Sequence, residues 1–416
     1  MAKKTEKDEP MMDLGIEIPN IPMPEQAEES DEIEDECDAA YRFAFIGAGQ
    51  AGARMAETFW KTGYRRVCAI NTTMKDLVHI DIPEDRKLVM EIDEDGAGKD
   101  PAKGEMAAKK YYEDIYDLMR RSFGSKFDRI MVLAGAGGGT GTGTTETMIK
   151  IAHDIAQSFR LEQRGQAPQG QQQATTASVV GTPAVGVLVS LPMVSEGQKV
   201  NANAIGLLES LFTMVGKDGG KLAGRSISPL IIADNERIDK IYPKRSVSQF
   251  YGVANQSIVG LFHLFNSIAT KASELTTFDQ ADFGTVLGSG VLTFGACPIA
   301  KWDSPTDISY AIRDNLRKNV LVADLDLDRA ATAACIFVGH PEVLDAIPQR
   351  NLEHGFEMLS RTMQDKSIVH RGIYRGNVID ANGKPGLVVY TLIGELGRPD
   401  TRMDEMNRVA GIAPKK

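Results

Sequence analysis

Several features that mark common protein classes are missing from this sequence. Its four cysteines (Cys37, Cys68, Cys297, Cys335) are scattered singly, with no CxxC spacing. That excludes a disulfide framework or a thiolate zinc site and fits reduced thiols in a cytoplasmic protein. The six histidines show no HExxH or other paired spacing, so no histidine-built metal centre is expected. No stretch approaches the ~20 continuous apolar residues that span a bilayer. No apolar run follows Met1-Ala2-Lys3-Lys4-Thr5, so a secretory signal is not expected either. Positive charge is in deficit: the formal net charge of −10 argues against a general nucleic-acid binder, which needs a basic face.

What is present is a chain of 416 residues, 42% hydrophobic and 25% charged, long enough for two domains with separate cores. Part of the negative charge lies in one segment, EQAEESDEIEDECD from Glu25 to Asp38, behind the proline-punctuated Ile18-Pro19-Asn20-Ile21-Pro22-Met23-Pro24. Such a stretch buries too little apolar area to offset its ordering entropy, so residues 1–39 read as a disordered acidic tail. A sharper reading makes Met11, Met12, Leu14, Ile16 and Ile18 a short docking motif for a partner.

From Tyr41 onward, apolar runs at 41–46, 66–70, 129–134, 184–190 and 229–233 alternate with helical patterns at 53–60 and 145–159. That alternation predicts an α/β fold with a doubly wound parallel sheet over residues 40–246, interrupted by a glutamine-rich flexible insertion at 161–182. Phe250, Ala254, Ile258, Leu261, Phe262, Phe265 and Ile268 form one apolar stripe, predicting a long central helix at 247–275. A smaller α/β domain with a mixed sheet is expected over 276–396, with strands at 291–296, 333–338 and 387–393. Residues 397–416 read as a C-terminal tail.

Two glycine loops follow predicted strands. The first, Gly47-Ala48-Gly49-Gln50-Ala51-Gly52, satisfies G-x-G-x-x-G, so a dinucleotide site must be weighed. Such a site also wants an acidic residue at the end of the second strand, where this chain has Asn71-Thr72-Thr73. An NAD(P)-dependent oxidoreductase is the alternative reading of that loop. The second, Gly135-Ala136-Gly137-Gly138-Gly139-Thr140-Gly141-Thr142-Gly143, is richer. Glycines let backbone N–H groups converge on an anion, and the helix N-terminus behind them adds about half a positive charge. Thr140, Thr142 and Thr144 offer hydroxyls, and no Gly-Lys-Ser/Thr follows, so this is not a P-loop. Gly96-Ala97-Gly98-Lys99-Asp100-Pro101 is a third candidate and equally an ordinary loop. Two phosphate cradles on one sheet point to a nucleoside triphosphate.

At these residues the chain resembles a known family. GGGTGTG at 137–143 is the signature of the tubulin/FtsZ superfamily. Gly49-Gln50-Ala51-Gly52 followed by Phe59-Trp60 is similar to the tubulin form of the first loop, and Ala69-Ile70-Asn71-Thr72 to the second-strand motif. The mixture is closest to the archaeal CetZ-like group. The resemblance implies a GTPase that binds GTP, with Mg²⁺ held through the phosphates and no protein metal ligand. It places Gly49, Gln50, Ala51, Gly52, Ala53, Arg54, Asn71 and Gly98 around the nucleotide. With them go Gly137, Gly138, Gly139, Thr140, Gly141, Thr142 and Gly143. Glu196, in Ser195-Glu196-Gly197, would meet the ribose, and Asn255 the guanine, with Gln256 and Asn235 beside it. Asp279 and Asp282, in Phe278-Asp279-Gln280-Ala281-Asp282-Phe283, would be the catalytic acids.

The departures are Val200 in place of an arginine near the phosphates, Thr277 in place of an asparagine, and Gln256 in place of a guanine-reading aspartate. No FtsZ-type tail peptide is seen after Gly397. Asp279 lies 24 residues beyond Asn255. If the helix runs to Ser273, the two are separated by roughly 30 Å or more at ~1.5 Å per residue. The carboxylates would then serve a neighbouring subunit, implying a head-to-tail homopolymer whose assembly activates hydrolysis, acting in cell shape or cell division. A GTP-binding regulator that does not polymerise is the third reading.

Overall fold

The computed structural model describes residues 33–413, apart from 93–95, 167–184, 217–225, 243–245, 320, 323–325, 364–366 and 381. The expected docking motif at 11–18 and most of the glutamine-rich insertion lie outside the described residues.

β1 (Phe43–Ala48) runs directly into α1 (Gly49–Lys61), and β2 (Val67–Asn71) into the short α2 (Met74–Leu77). β3 (Lys87–Val89), α3 (Pro101–Lys110) and α4 (Tyr112–Phe123) follow, then β4 (Arg129–Gly135) and α5 (Gly139–Gln166). β5 (Val185–Leu191), α6 (Gln198–Met214), β6 (Leu230–Asp234) and α7 (Asn235–Ile241) complete the parallel part. Next come α8 (Val247–Ile268), α9 (Gln280–Leu287), β7 (Val291–Ile299) and α10 (Pro305–Asp314). The chain ends through β8 (Thr332–Gly339), α11 (Pro341–Ala346), α12 (Gln349–Thr362), β9 (Ile368–Arg375), β10 (Leu387–Gly394) and α13 (Asp400–Ala410).

These strands form one ten-stranded sheet in the order β3-β2-β1-β4-β5-β6-β7-β10-β8-β9. Pairing is parallel from β3 to β7; β10 is antiparallel to both neighbours, and β9 is parallel to β8. The predicted doubly wound sheet and mixed second sheet are therefore one continuous surface, joined where Leu230 and Ile231 of β6 meet Val291 and Leu292 of β7. All six residues of β1 are buried, because both faces are covered. Ala44, Ile46 and Ala48 enter one core, while Phe43 and Phe45 enter the other.

The second core is strongly aromatic. Phe45 stacks on Phe59 at 3.9 Å between ring centroids, and Phe262 of α8 meets Phe43, Phe45 and Phe59 edge-on. Such pairs contribute about 0.5–1.5 kcal/mol each beyond their burial. They seat α8 across the sheet, and Phe265 continues the contact to Phe278 and Phe283 beside α9.

Four boundaries differ from expectation. α8 stops at Ile268, not 275, because Thr270 turns its hydroxyl onto the Ser267 carbonyl and the following segment is drawn to β9. α5 begins inside the glycine run, at Gly139, and extends to Gln166, into the expected insertion. Residues 397–416 are not simply a tail. α13 packs on α6 with Met403, Met406 and Ala410 buried, and it closes at Gly411 with φ +70°. Order also begins before Tyr41. Asp35 pairs with Arg66 at 2.9 Å and Glu36 with Arg65, so the acids that made this stretch read as solvated have partners distant in sequence.

Candidate functional site

The C-terminal ends of β1, β4, β5 and β6 open on a cleft of about 260 Å³. Its floor is where the two glycine loops touch. Gly49 has φ +70°, and a Cβ there would lie 2.8 Å from the Gly141 nitrogen. Only glycine satisfies both demands. Gly137, φ +133°, faces Val200, whose Cγ1 would sit 2.6 Å from an added Cβ.

The glycine run does two jobs. Gly137, Gly138 and Gly141 line the cleft, with Gly138 beside open space. Gly139 and Gly143 instead let α3 approach α5: a Cβ on Gly143 would stand 2.0 Å from the Pro101 carbonyl oxygen, and one on Gly139 2.7 Å from the Asp100 nitrogen. Reading the whole run as an anion cradle overlooked this packing role. The threonines differ from expectation as well. Thr142 Oγ1 accepts from the Gly137 N–H at 2.9 Å, and Thr140 Oγ1 donates to Asn71 Oδ1 at 3.2 Å while meeting Thr72 Oγ1 at 2.7 Å. These two hydroxyls brace the loop instead of facing the cleft.

Asn71 is buried and does not line the cleft. It bonds Asp76 through Nδ2 at 3.0 Å, and Asp76 in turn accepts from Gln50 Nε2 at 3.2 Å. Asp76 therefore stands one hydrogen bond from a cleft residue, a carboxylate that sequence spacing did not single out. Gly52 and Ala53 lie beneath the first loop. A Cβ on Gly52 would meet the Leu133 carbonyl oxygen at 2.2 Å, so the third glycine of G-x-G-x-x-G serves the contact between α1 and β4.

Lys99, not Gly98, lines the cleft from the third loop. Asn203 Nδ2 donates to the carbonyls of both Lys99 and Gly137, fastening the second and third loops together. At the opposite end stand Asn255 of α8, Asn235 of α7, Glu196, and Arg54 of α1. Arg54 sits 5.9 Å from the centroid of the Tyr251 ring, which also lines the cleft and was missed as a site residue. Burial, then the Glu196 charge, pushes the Tyr251 hydroxyl pKa up, so it stays protonated. Gln256 does not line the cleft, although its neighbour Asn255 does. Behind Asn235, Asp234 pairs with Arg402 of α13 at 2.9 Å, and Arg402 also donates to the carbonyl of the cleft residue Pro192. Burial pushes the Asp234 carboxyl up against the pull of that arginine.

Asp279 and Asp282 lie elsewhere. From Asn255 to Ile268, α8 alone rises about 20 Å, and α9 begins beyond its C-terminus. Asp279 is the N-cap of α9 and Asp282 its third residue, each carboxylate accepting the other's backbone N–H. The preceding loop is held by β9. Ile373 N–H donates to the Thr276 carbonyl, and the Tyr374 hydroxyl bonds both N–H and carbonyl of Phe278, at 2.8 and 3.0 Å.

A larger open groove of about 570 Å³ lies between α3, α5 and α6. Its Lys109 is paired with Glu105 and its Lys150 sits over the Tyr112 ring, so size alone does not make it the site. Among the described residues no cluster of three or more His, Cys, Asp or Glu side chains could hold a metal, and no helix is long and apolar enough to cross a membrane.

Comparison with known proteins bears on this architecture. Residues 42–174 match the GTPase domain of the Tubulin/FtsZ family. The tubulin-like protein TubZ of Bacillus cereus is 25% identical over 313 residues, covering 70% of this chain and 63% of TubZ, so the match spans less than two thirds of that relative's length. The cell division protein FtsZ of Haloferax mediterranei is 27% identical over 295 residues, covering 69% of this chain and 64% of FtsZ. Among solved structures, a GTPγS-form protofilament of Bacillus thuringiensis TubZ superposes with a TM-score of 0.72 at 21% identity, over 90% of this chain and 92% of that one. CetZ2 from Haloferax volcanii, a GTPγS-bound protofilament, gives 0.64 at 19% identity, over 89% of this chain and 98% of that one. These structural likenesses show the fold.

Proposed function

We propose that the chain is a member of the tubulin/FtsZ superfamily, whose GTPase-domain model matches residues 42–174, and that it binds and hydrolyses GTP as a head-to-tail filament. The observation that carries this reading is a division of labour. The cleft holds phosphate loops and amide side chains, while the carboxylates suited to activating water lie past the far end of α8.

In this reading the phosphates lie on Gly138, Gly141 and the N-terminus of α5, where unpaired N–H groups and the helix dipole favour negative charge. Lys99 adds a cation at that end. Tyr251 offers a ring face, Asn255 an amide for the edge of the base, and Glu196 a carboxylate for the ribose hydroxyls. A magnesium ion, when bound, neutralises phosphate charge. Asp76, one hydrogen bond behind the cleft residue Gln50, is a carboxylate that would steady such an ion through its water shell. Asp279 and Asp282 of the next subunit orient the attacking water. A surface that presents these acids at one pole and needs them at the other forms a heterologous, non-closing interface, hence a filament. Cell shape or division is the cellular setting proposed.

The test is Asp282→Asn. It is expected to bind GTP and assemble as the parent does, while phosphate release falls by about 100-fold or more. Turnover per molecule that stays constant down to dilute monomer would sink completion of the site by a neighbour.

A further inference from the structure

Asp282 has a partner that its own helix does not supply. His370 Nδ1 lies 2.6 Å from Asp282 Oδ1, across 88 residues of sequence. The other carboxylate oxygen, Oδ2, accepts the Asp279 N–H at 3.3 Å, so each oxygen of Asp282 has one protein contact. A carboxylate accepts, so the histidine nitrogen that meets it carries the proton. The imidazole side chain is 13% exposed, and its Nε2 is buried with no hydrogen-bond partner. A buried ring nitrogen without a partner is a cost that folds seldom tolerate. Among the described residues nothing on the Nε2 side fixes the ring, and its one polar contact is with Asp282.

The placement of His370 follows from β9. Residues 370, 372 and 374 share one face of that strand. Tyr374 clamps Phe278 at the start of the acidic loop, Gly372 leaves room for Phe278, and His370 takes Asp282 itself. Its strand neighbour Arg371 is engaged elsewhere, with Glu353 of α12. The strand is therefore a template on which the acids are set before any neighbour arrives.

We infer that His370 is a positioning residue for hydrolysis, its Nδ1–H holding the Asp282 carboxylate in the orientation presented to the adjoining subunit's nucleotide. The inference rests on the reading of Asp282 as catalytic. A neutral imidazole suffices: it donates one proton to a hydrogen bond and no bond is made or broken. The carboxylate is turned, not titrated, so the effect falls on turnover and not on nucleotide binding or subunit contact.

Three substitutions at His370 distinguish positioning from mere packing. In Asn the amide occupies the place of Nδ1, and in Gln that of Nε2. His370→Ala and His370→Gln are expected to lower phosphate release per assembled subunit by about 10- to 100-fold, since a misplacement of an ångström costs on that scale. His370→Asn is expected to stay within about threefold of the parent, on the same argument. GTP affinity of dilute monomer, and the concentration at which filaments appear, should not move in any of the three. Parent-like turnover in His370→Ala overturns the inference, and so do equal losses in the Asn and Gln variants. Asp282→Asn, measured alongside, separates the two levels. If it is inactive while His370→Ala is normal, only the role of His370 falls; if it is fully active, the catalytic reading of Asp282 falls and takes this inference with it.

Discussion

Arg402 shows how one side chain can serve stability and site together. Its guanidinium, 3% exposed, meets the 2% exposed Asp234 carboxylate and the Pro192 carbonyl. Removing one partner of a buried pair leaves the other charge without compensation, at a cost of about 3–5 kcal/mol. Arg402→Ala is therefore expected to lower unfolding stability by that order in a denaturant titration. Because Asp234 precedes Asn235 and Pro192 lines the cleft, nucleotide affinity should fall with it. Asp234→Asn combined with Arg402→Met removes both charges and should recover more than half of the stability. A double variant as unstable as Arg402→Ala would show that the packing of α13, not the ion pair, carries the effect. Neither charge stands out in the sequence. They lie 168 residues apart, and a lone Arg on a polar helix looks like solvated surface.

At the scale of elements, the glycine run separates folding from binding. Gly143→Ala drives a methyl into the Pro101 carbonyl and must push α3 from α5, with a loss of about 1–3 kcal/mol typical of overpacking. Gly138→Ala meets open space at the cleft. It should keep the parent's thermal midpoint while weakening GTP binding, as read by calorimetry. Equal midpoints for the two variants would contradict this division. Much at this scale was legible. β1, β2, β4, β5 and β6 are continuous apolar runs, and the α8 stripe gave its start and most of its length. β9 was missed because it is an edge strand, IVHRGIYR, whose burial does not alternate and whose charged residues find partners across the fold. α13 was missed because so few of its positions are apolar. In the site, the glycine loops were legible from motif and spacing, and Asn255 only through the family resemblance. Asp76, Lys99 and Tyr251 were not, since their places depend on how loops fold back onto the cleft.

For the whole molecule, the separation of cleft from acids makes a mixing experiment decisive. Asp282→Asn keeps an intact cleft, and a nucleotide-deficient variant at the cleft, such as Gly138→Trp, keeps intact acids. Each alone should be nearly inactive. In an equal mixture that copolymerises at random head to tail, half the subunits have a working cleft and half of those adjoin working acids, giving about a quarter of the parent rate. No recovery in filaments shown to contain both variants would argue against a shared site. The likeness to CetZ expected from sequence appears as a shared fold, at a TM-score of 0.64, and TubZ superposes at 0.72.

The parallel pairing of β6 with β7 has a consequence for time as well as shape. β6 delivers Asp234 and Asn235 to the cleft at its C-terminal end, whereas β7 starts just behind α9. A molecule built this way has unlike poles, and a string of such molecules keeps the inequality at any length. In the proposed filament, one tip would carry a member whose nucleotide no neighbour covers. If the site is completed by a neighbour as proposed, that triphosphate should outlast those behind it, and the string would carry its freshest chemistry at one extremity.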